Sequence, residues 1–213
     1  MRDLNGWQKV FEEKARELYP ATDPSHDFLH IRRVVSTALK LAREERADPM
    51  IVQPAAYFHD FVNIPKGDPR RKQASALSAA AAVEYLCSVG YPARYAASIR
   101  HAITAHSFSA GIPCETMEAK VVQDADRLDS LGAIGIARCV TTSALMGRPY
   151  YHEQDLFAES RPLDDKNYAV DHFFVKLFKV ADLLQTVSAR EEGKRRLFFM
   201  KDYLKQLRSE VET

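Results

Sequence analysis

The chain has 213 residues and a formal net charge of +1, with 30 lysine and arginine residues against 29 aspartate and glutamate residues. This length is sufficient for one domain with a sizeable core, and no shift in composition marks a second domain. Because the chain has no global positive field, its composition argues against non-specific nucleic-acid binding and against an extended nucleic-acid surface. Any anionic ligand must therefore be held by local side chains.

Membrane and redox signals are weak in this sequence. Charged residues interrupt the apolar runs well before about 18 residues, and the first five residues lack the apolar segment of a signal peptide. We therefore expect a cytoplasmic protein without a membrane partner. The three cysteines, Cys87, Cys114 and Cys139, are widely spaced and form no Cys-x-x-Cys pair. We therefore expect them to be reduced, apolar side chains and not disulfides or metal ligands.

Apolar residues recur at helical spacing along almost the whole chain, and no alternating strand pattern is present. The sequence therefore predicts an all-α, single-domain helical bundle. A helix from about 116 is open to continuation through Gly132 to Met146, and a long polar connection follows over 147–167. The other helices are predicted over 7–18, 23–45, 51–60, 75–87, a segment ending at 106, 168–189 and about 191–210.

Proline and glycine mark several boundaries of these helices. Asp23-Pro24 and Asp48-Pro49 each have the signature of a helix start, with an aspartate cap before proline at the first helical position. Pro54 lies inside the run 51–60 and should kink that helix or remove one hydrogen bond. Residues 61–72 read as a loop.

Two side chains with metal-binding chemistry end the most apolar helical run, Ala55-Ala56-Tyr57-Phe58-His59-Asp60. Buried imidazoles and carboxylates lose their hydration, so they need hydrogen bonds, an opposite charge or a metal ion. Taken alone, such a pair is most often a surface dipeptide or a satisfied structural pair. A metal site requires further ligands that converge on it.

Further candidates lie on two other helices. His26 and His30 are four residues apart and share a helix face, and Asp126 and Asp129 fall on one stripe with apolar neighbours. Asp124 points to a different side of the helix. An inward carboxylate in this segment needs a cation, and an arginine from elsewhere or a backbone amide would serve as well as a metal.

The ordered set of these motifs resembles the HD superfamily of metal-dependent phosphohydrolases, and in particular its small, single-domain bacterial members. The matching features are His30 in His-Ile-Arg-Arg-Val, the His59-Asp60 pair, Asp126 in Asp-Ala-Asp-Arg-Leu-Asp, and the run Leu131 to Arg138. The resemblance covers about residues 23–210. It implies one HD-type helical domain over 1–213, with a metal-site core of about 23–189 and a C-terminal helix of about 191–210 packed on it.

The resemblance implies that His30, His59, Asp60 and Asp126 ligate one divalent metal ion. Two imidazoles and two carboxylates suit several ions and leave positions open for water and phosphate oxygens if coordination is octahedral. The candidate ions are Mn²⁺, Mg²⁺, Co²⁺, Ni²⁺, Fe²⁺ and Zn²⁺. Such an ion polarises a phosphoryl oxygen and activates water for attack at phosphorus. Asp60, Asp129 and His106 are the candidate catalytic residues, and Asp129 would hydrogen-bond a ligand histidine or position the water.

No glycine-rich loop of the phosphate-binding type is present, so side chains must hold the phosphates. His106 is the most interesting histidine outside the ligand set because it lies on an apolar stripe. His26 reads equally as a core residue or as a partner of a ligand. Each cation among the substrate-binding candidates also has a simple alternative as a solvated charge; the candidates are Arg33, Lys66, Arg70, His106 and Lys176.

One departure from the family pattern affects the substrate. Some HD enzymes that act on phosphomonoesters have a glutamate soon after the His-Asp pair, whereas this chain reads Phe61-Val62-Asn63-Ile64. This favours a phosphoanhydride of a nucleoside triphosphate, or of a related nucleotide, as the substrate and leaves the general base undetermined. The alternatives are a 5′-nucleotidase-type phosphomonoesterase, a non-catalytic metal- or nucleotide-binding regulatory protein, and an oxygenase. The oxygenase would need two irons and further ligands from His101 or His106. The oligomeric state is open between a monomer and a homodimer.

Overall fold

The computed structural model describes residues 3–19, 27–64, 68–107 and 110–212. Within these ranges the chain is helical or irregular, without a β-strand, which confirms the predicted all-α class. The α-helices in this part of the chain are α1 (Leu4–Leu18), α2 (Phe28–Glu45), α3 (Pro49–Phe58), α4 (Ala74–Ser88), α5 (Ala96–His106), α6 (Met117–Leu128), α7 (Gly132–Leu145), α8 (Phe178–Asp182) and α9 (Val187–Val211). None of them is long and apolar enough to cross a membrane.

The chain forms two compact units, residues 1–126 and residues 127–213. The boundary falls in the last turn of α6, directly after Asp126. The expected single domain over 1–213 stays a prediction.

Helix α3 is the centre of the first unit, where it packs against α1, α2, α4 and α5. All of its residues from Ile51 to Phe58 are buried. A helix that is apolar on every side is stable only when other elements cover it completely. Trp7 and Phe11 of α1 and Tyr91 supply part of this cover as a cluster of aromatic rings. The C-terminal end of α3, which His59 follows in the chain, is therefore surrounded by packed helices.

The helix starts follow from aspartate and proline. Asp48 caps α3, because its carboxylate accepts a hydrogen bond from the Met50 amide at 2.8 Å, with Pro49 at the first helical position. This confirms the predicted start at Asp48-Pro49. Asp68 and Pro69 repeat the signature at a 3₁₀ helix, Pro69–Gln73, inside the segment predicted as a loop. The predicted start at Asp23-Pro24 lies outside the described residues, and so does His26.

Pro54 removes one hydrogen bond from α3, as predicted. Proline has no amide hydrogen to donate to the carbonyl four residues earlier, which is that of Met50. The Tyr91 hydroxyl donates to the Met50 carbonyl instead, at 2.6 Å. A part-buried carbonyl that has lost its donor four residues later to the proline thus accepts from a neighbouring side chain instead.

The second unit begins with a break that the sequence analysis left open. Gly132 has a φ of +73°, a left-handed conformation that an α-helix does not contain in its interior. One continuous helix from 116 to 146 is therefore wrong, because α6 ends at Leu128 and α7 begins at Gly132. Asp129 consequently lies in the turn between two helices and not on a helical stripe with Asp126.

The predicted helix over 168–189 is also divided. A π-helical turn, Phe173–Leu177, leads directly into α8, which ends at Asp182, and a new helix starts at Val187. Thr186 causes this restart by capping α9, since its hydroxyl accepts from the Ala189 amide at 3.4 Å. Both α7 and α8 pack against α9 within this unit. The preceding residues 147–167 contain no helix, as predicted.

Candidate metal centre

His59 and Asp60 follow the last residue of α3 and begin the turn after it. The His59 ring is completely buried, and its Nδ1 lies 2.9 Å from the Ala56 carbonyl, three residues earlier. A carbonyl can only accept, so Nδ1 carries the hydrogen and Nε2 has a free lone pair. This tautomer is the one that a metal ligand requires at Nε2.

Three successive backbone carbonyl groups at the end of α3 each accept a hydrogen bond. The Ala56 carbonyl accepts from His59, and the Phe58 carbonyl accepts from the Phe61 amide at 3.1 Å. Between them, the Tyr57 carbonyl accepts from the hydroxyl of Tyr19 at 3.0 Å. Helix ends leave such carbonyls without partners, so each needs a donor from elsewhere. Tyr19 was not among the residues predicted from the sequence.

His30 and Asp126 complete the cluster. His30 lies in the first turn of α2, and its amide donates to the capping carboxylate of Asp27 at 2.7 Å. The Asp126 Oδ1 atom is 3.5 Å from His30 Nε2 and 3.8 Å from His59 Nε2. An Asp60 oxygen lies 3.5 Å from the same His59 nitrogen. The structure therefore brings together all four ligands that the resemblance implies.

These separations suit a bound cation better than direct hydrogen bonds. Hydrogen bonds between nitrogen and oxygen are usually 2.7 to 3.2 Å long, and His59 Nε2 has no such partner among the described residues. Two ligand atoms that are each about 2.1 Å from one ion lie roughly 3.0 to 3.4 Å apart. One ligand atom each from His30, His59 and Asp60 can be chosen so that all three lie within 4.8 Å of one another. The donor set and the unpartnered buried nitrogen fit a divalent metal ion.

Burial differs between the two kinds of ligand. The side chains of His30 and His59 are 1% and 0% exposed, whereas those of Asp60 and Asp126 are 29% and 34% exposed. The histidines thus form the closed side of the cluster, and the carboxylates lie on the side that solvent reaches. Among these four side chains, the carboxylates are the ones that a ligand from solution can reach.

His106 lies beside the cluster at the end of α5. Its Nδ1 is 2.6 Å from the Ile103 carbonyl, again three residues earlier, and its Nε2 is 3.5 Å from Asp60 Oδ1. The side-chain amide of Gln123 donates to the Ala105 carbonyl at 2.8 Å and to the His106 carbonyl at 3.3 Å. Gln123 thus connects the end of α5 to α6, three residues before Asp126. The sequence analysis did not identify this role of Gln123.

The protonation states of the cluster follow from burial and charge. Burial lowers the pKa of His59, and the charges of Asp60 and Asp126 oppose this only in part. Burial alone would raise the pKa of Asp126, but the nearby His59, His30 and His106 outweigh it and lower that pKa. A neutral imidazole and an ionised carboxylate are the forms that bind metals.

His106 differs from His59 in this respect. Burial alone would lower the pKa of His106, but its interaction with Asp60 and the charge of Asp126 outweigh it and raise that pKa. A protonated imidazole donates from both nitrogens and cannot ligate a metal. In its protonated form His106 suits contact with a phosphate, whereas in its neutral form, with the Nδ1 hydrogen on the Ile103 carbonyl, Nε2 has the same lone pair as that of His59.

The other predicted site residues that the structure describes lie on different helices and turns. Arg33 is half-buried on α2, on the same side of the helix as His30, and Arg70 is exposed and bonded to Asp68 at 2.9 Å. Lys176 is exposed in the π turn of the second unit. His101 is half-buried and accepts from the Glu115 amide at 3.1 Å. Lys66 lies outside the described residues.

The two other aspartates of the segment around Asp126, Asp124 and Asp129, are buried. In the second unit, the Asp129 carboxylate is buried and accepts from Arg138 at 2.9 Å, and its catalytic role stays a prediction. Asp124 is 0% exposed although its helical phase differs from that of Asp126. Helix α6 is buried on more than one side, so the helical phase did not predict where Asp124 would lie.

Comparisons with known proteins identify relatives of this chain. The HD domain family matches residues 27–131. The uncharacterised protein YpgQ of Bacillus subtilis strain 168 is 34% identical over 197 residues, which are 89% of this chain and 87% of YpgQ.

Solved structures are similar over nearly the whole length. The crystal structure of B. subtilis YpgQ in complex with ADP has a TM-score of 0.75 and 33% identity and covers 95% of this chain and 97% of that one. An HD-superfamily hydrolase from Bacillus thuringiensis has a TM-score of 0.73 and 27% identity, with 97% and 98% coverage. The order of the clustered residues, the family match and these relatives lead to one assignment: the chain belongs to the HD superfamily.

Proposed function

We propose that this protein is a divalent-metal-dependent phosphohydrolase that acts on nucleotides and cleaves a phosphoanhydride bond of a nucleoside triphosphate or a related nucleotide. The observation that carries the proposal is the convergence of His30, His59, Asp60 and Asp126 around one point. The ADP complex of B. subtilis YpgQ supports a nucleotide as the ligand.

The proposed cofactor is one divalent ion per chain, held by the two histidines and the two carboxylates. This mixed donor set suits Mn²⁺, Fe²⁺, Co²⁺, Ni²⁺ or Zn²⁺, and the carboxylates also suit Mg²⁺. When bound, the ion supplies a Lewis acid for a phosphoryl oxygen and lowers the pKa of water.

The side chains of this chain then have distinct tasks. His59 and His30 hold the closed side of the site, and the partly exposed carboxylates leave an approach for the phosphates. His106, with its raised pKa, offers a proton at Nε2 next to Asp60 and donates to a phosphate oxygen or to the leaving group. Arg33, on the same side of α2 as His30, supplies positive charge for the phosphates.

A phosphoanhydride is proposed over a phosphomonoester because the four residues after Asp60 contain no glutamate. A 5′-nucleotidase would instead prefer a monophosphate. A regulatory protein would bind metal and nucleotide without turnover, and the ADP complex of YpgQ fits that alternative as well. An enzyme and a regulatory protein would both bind the nucleotide, so the rate of hydrolysis, and not binding, distinguishes them.

The test measures metal content and then hydrolysis of the mono-, di- and triphosphate of one nucleoside with saturating Mn²⁺, Mg²⁺ or Co²⁺. We expect about one ion per chain and the fastest release of phosphate or pyrophosphate from the triphosphate. Clear preference for the monophosphate would favour the nucleotidase. Nucleotide binding without turnover would favour the regulatory protein, and two irons with uptake of O₂ would favour the oxygenase.

A further inference from the structure

The turn that carries His59 and Asp60 depends on a donor from another helix. Within α3, the Tyr57 carbonyl would accept from the amide of Phe61, but that amide donates to the Phe58 carbonyl at 3.1 Å. The hydroxyl of Tyr19 supplies the donor at 3.0 Å. This carbonyl precedes His59 by two residues, so its direction is coupled to the backbone that carries both ligands.

Tyr19 is fixed at this place by the end of α1. Its backbone amide donates to the Ala15 carbonyl as the last bond of that helix, and proline follows in the sequence. The side chain is only 4% exposed. Burial, and then the charge of Asp60, raise the pKa of Tyr19 well above its ordinary value, against a hydrogen bond with the Asp60 backbone that lowers it.

A second tyrosine makes an equivalent bond at the other end of the same helix. The hydroxyl of Tyr91 donates to the Met50 carbonyl at 2.6 Å, and the side chain is 5% exposed. Both hydroxyls therefore donate to carbonyls of α3 that lack the amide donor four residues later, one in a buried bond at Tyr57 and one in a part-buried bond at Met50. They differ in position, because Met50 is nine residues before His59 and Tyr57 is two residues before it.

We infer that Tyr19 is a positioning residue for the metal centre, because its hydroxyl bond to the Tyr57 carbonyl sets the orientation of the turn that holds His59 and Asp60. The inference rests on the metal site of the proposed function. Groups that orient ligands without touching the metal typically change metal affinity about 10- to 100-fold when they are removed.

The experiment compares Tyr19→Phe with Tyr91→Phe in the full-length protein. Each variant deletes one hydroxyl and leaves one carbonyl of α3 without its donor, so we expect a decrease in Tm of about 2 to 4 °C for each. The probe is Co²⁺ alone, whose visible absorption reports both affinity and ligand geometry. We expect Tyr19→Phe to bind Co²⁺ about 10- to 100-fold more weakly with an altered spectrum, and Tyr91→Phe to match wild type in both.

Equal Co²⁺ affinities and spectra in the two variants would overturn the inference and leave Tyr19 with a purely structural role. If wild type binds Co²⁺ but hydrolyses no nucleotide, the proposed function fails while the affinity difference still decides the role of Tyr19. If wild type binds no Co²⁺, the proposed metal site fails, and the ¹⁵N NMR signal of His59 Nδ1 in metal-free protein decides instead. A shift in Tyr19→Phe alone supports positioning, and equal signals in both variants contradict it.

Discussion

Several helix ends in the two units of the chain satisfy their backbone carbonyls with different side chains, although Arg71 in the first unit also donates to the Ile64 carbonyl, at 2.7 Å. In residues 1–126, the two helix ends that carry site histidines are bonded by neutral side chains, those of Tyr19 and Gln123. In residues 127–213, arginines make the corresponding bonds. The Leu128 carbonyl accepts from Arg196 at 2.6 Å, and the Leu184 carbonyl accepts from Arg190 at 2.9 Å.

This difference has a physical reason if the first unit holds a divalent cation. A guanidinium hydrogen-bonded at the helix end that carries the ligands would repel the ion and compete with it for the carboxylates, unlike a cation such as Arg33 that is proposed to contact the phosphates. A hydroxyl or an amide orients the same backbone without adding charge. In the second unit no such restriction applies, and one arginine can satisfy several acceptors at once. We therefore expect changes in the first unit to alter metal binding and changes in the second unit to alter stability.

The largest effect is expected for His59→Ala. Removing one of four ligands opens the site and leaves the two carboxylates less compensated, so both metal content and turnover should be lost. In kcat/KM we expect a loss of at least about a thousandfold, or roughly 4 kcal/mol. His101→Ala is the matched control. His101 is half-buried and accepts a hydrogen bond from the Glu115 amide, at a distance from the four proposed ligands in the sequence. Metal analysis that gives wild-type content for His59→Ala would end the comparison between the units.

Arg161→Met tests the second unit. Arg161 binds both oxygens of Asp171 at 2.6 and 2.8 Å, and the Asp171 side chain is 0% exposed. Removing the guanidinium leaves a buried carboxylate uncompensated, which typically costs about 3 to 5 kcal/mol of unfolding free energy. Urea denaturation measures this loss, and the metal content of the folded fraction should stay unchanged.

The double variant Arg161→Met with Asp171→Leu distinguishes a lost ion pair from a packing defect. Because it also removes the buried charge, it should recover much of the stability that the single variant loses. A double variant that is less stable than Arg161→Met would show that packing around these residues, and not the charge, dominates.

A smaller effect is expected for Arg33→Ala, which asks whether a cation in the first unit serves the substrate. Arg33 lies three residues after His30, on the same side of α2, whereas the exposed Arg32 leaves that helix on a different side. Arg33→Ala should lower kcat/KM about tenfold to a thousandfold, or about 1.4 to 4 kcal/mol, without loss of metal. Steady-state kinetics with Arg32→Ala as the control would refute this role if both variants were equally affected.

The sequence predicted the fold class and the clustered ligands for identifiable reasons. Helical periodicity is a local signal, and nearly every element of this chain is amphipathic or buried helix. The His59-Asp60 pair ends the most apolar helix, but that pattern alone is most often a surface dipeptide or a satisfied structural pair, and the resemblance to the HD superfamily was needed to predict a cluster. The joint position of His30 and Asp126 came from the order of motifs and not from periodicity.

The missed features depend on contacts between distant segments. The bonds of Tyr19 and Gln123 join side chains to backbone carbonyls of other helices, and such bonds leave no periodic trace in the sequence. The burial of Asp124 was missed because helical phase assumes one buried face, whereas Val121, Val122 and Ala125 around it are all 0% exposed. The break at Gly132 had a local signal, a glycine directly after Leu131, and the sequence analysis left it open.

The smallest effect is expected for Glu192→Gln. This variant tests whether the hydrogen bonds that arginines make to backbone carbonyls in the second unit depend on charge. The Glu192 carboxylate accepts from Arg195 at 2.7 and 2.9 Å and from Arg196 at 2.7 Å, and Arg196 in turn holds the Leu128 carbonyl. The hydrogen bonds from Arg195 and, against the opposing effect of burial, from Arg196 lower the pKa of Glu192 from 4.5 to about 2. A lowered carboxylate pKa stabilises the folded state above the pKa of the unfolded state, and this stabilisation is lost as the pH falls through the folded value.

We therefore expect Glu192→Gln to be less stable than wild type by about 1 kcal/mol at pH 7, since partly exposed ion pairs contribute little. The difference should shrink as the pH falls from 4.5 toward 2, because wild type then loses the same charge. Urea denaturation at several pH values measures this without added salt, which would screen the pairs. Glu210→Gln is the control on the same helix, because that carboxylate accepts from the neutral Gln206. A stability difference for Glu192→Gln that stays constant between pH 7 and pH 3 would show that shape and hydrogen bonding, and not charge, fix the turns of the second unit.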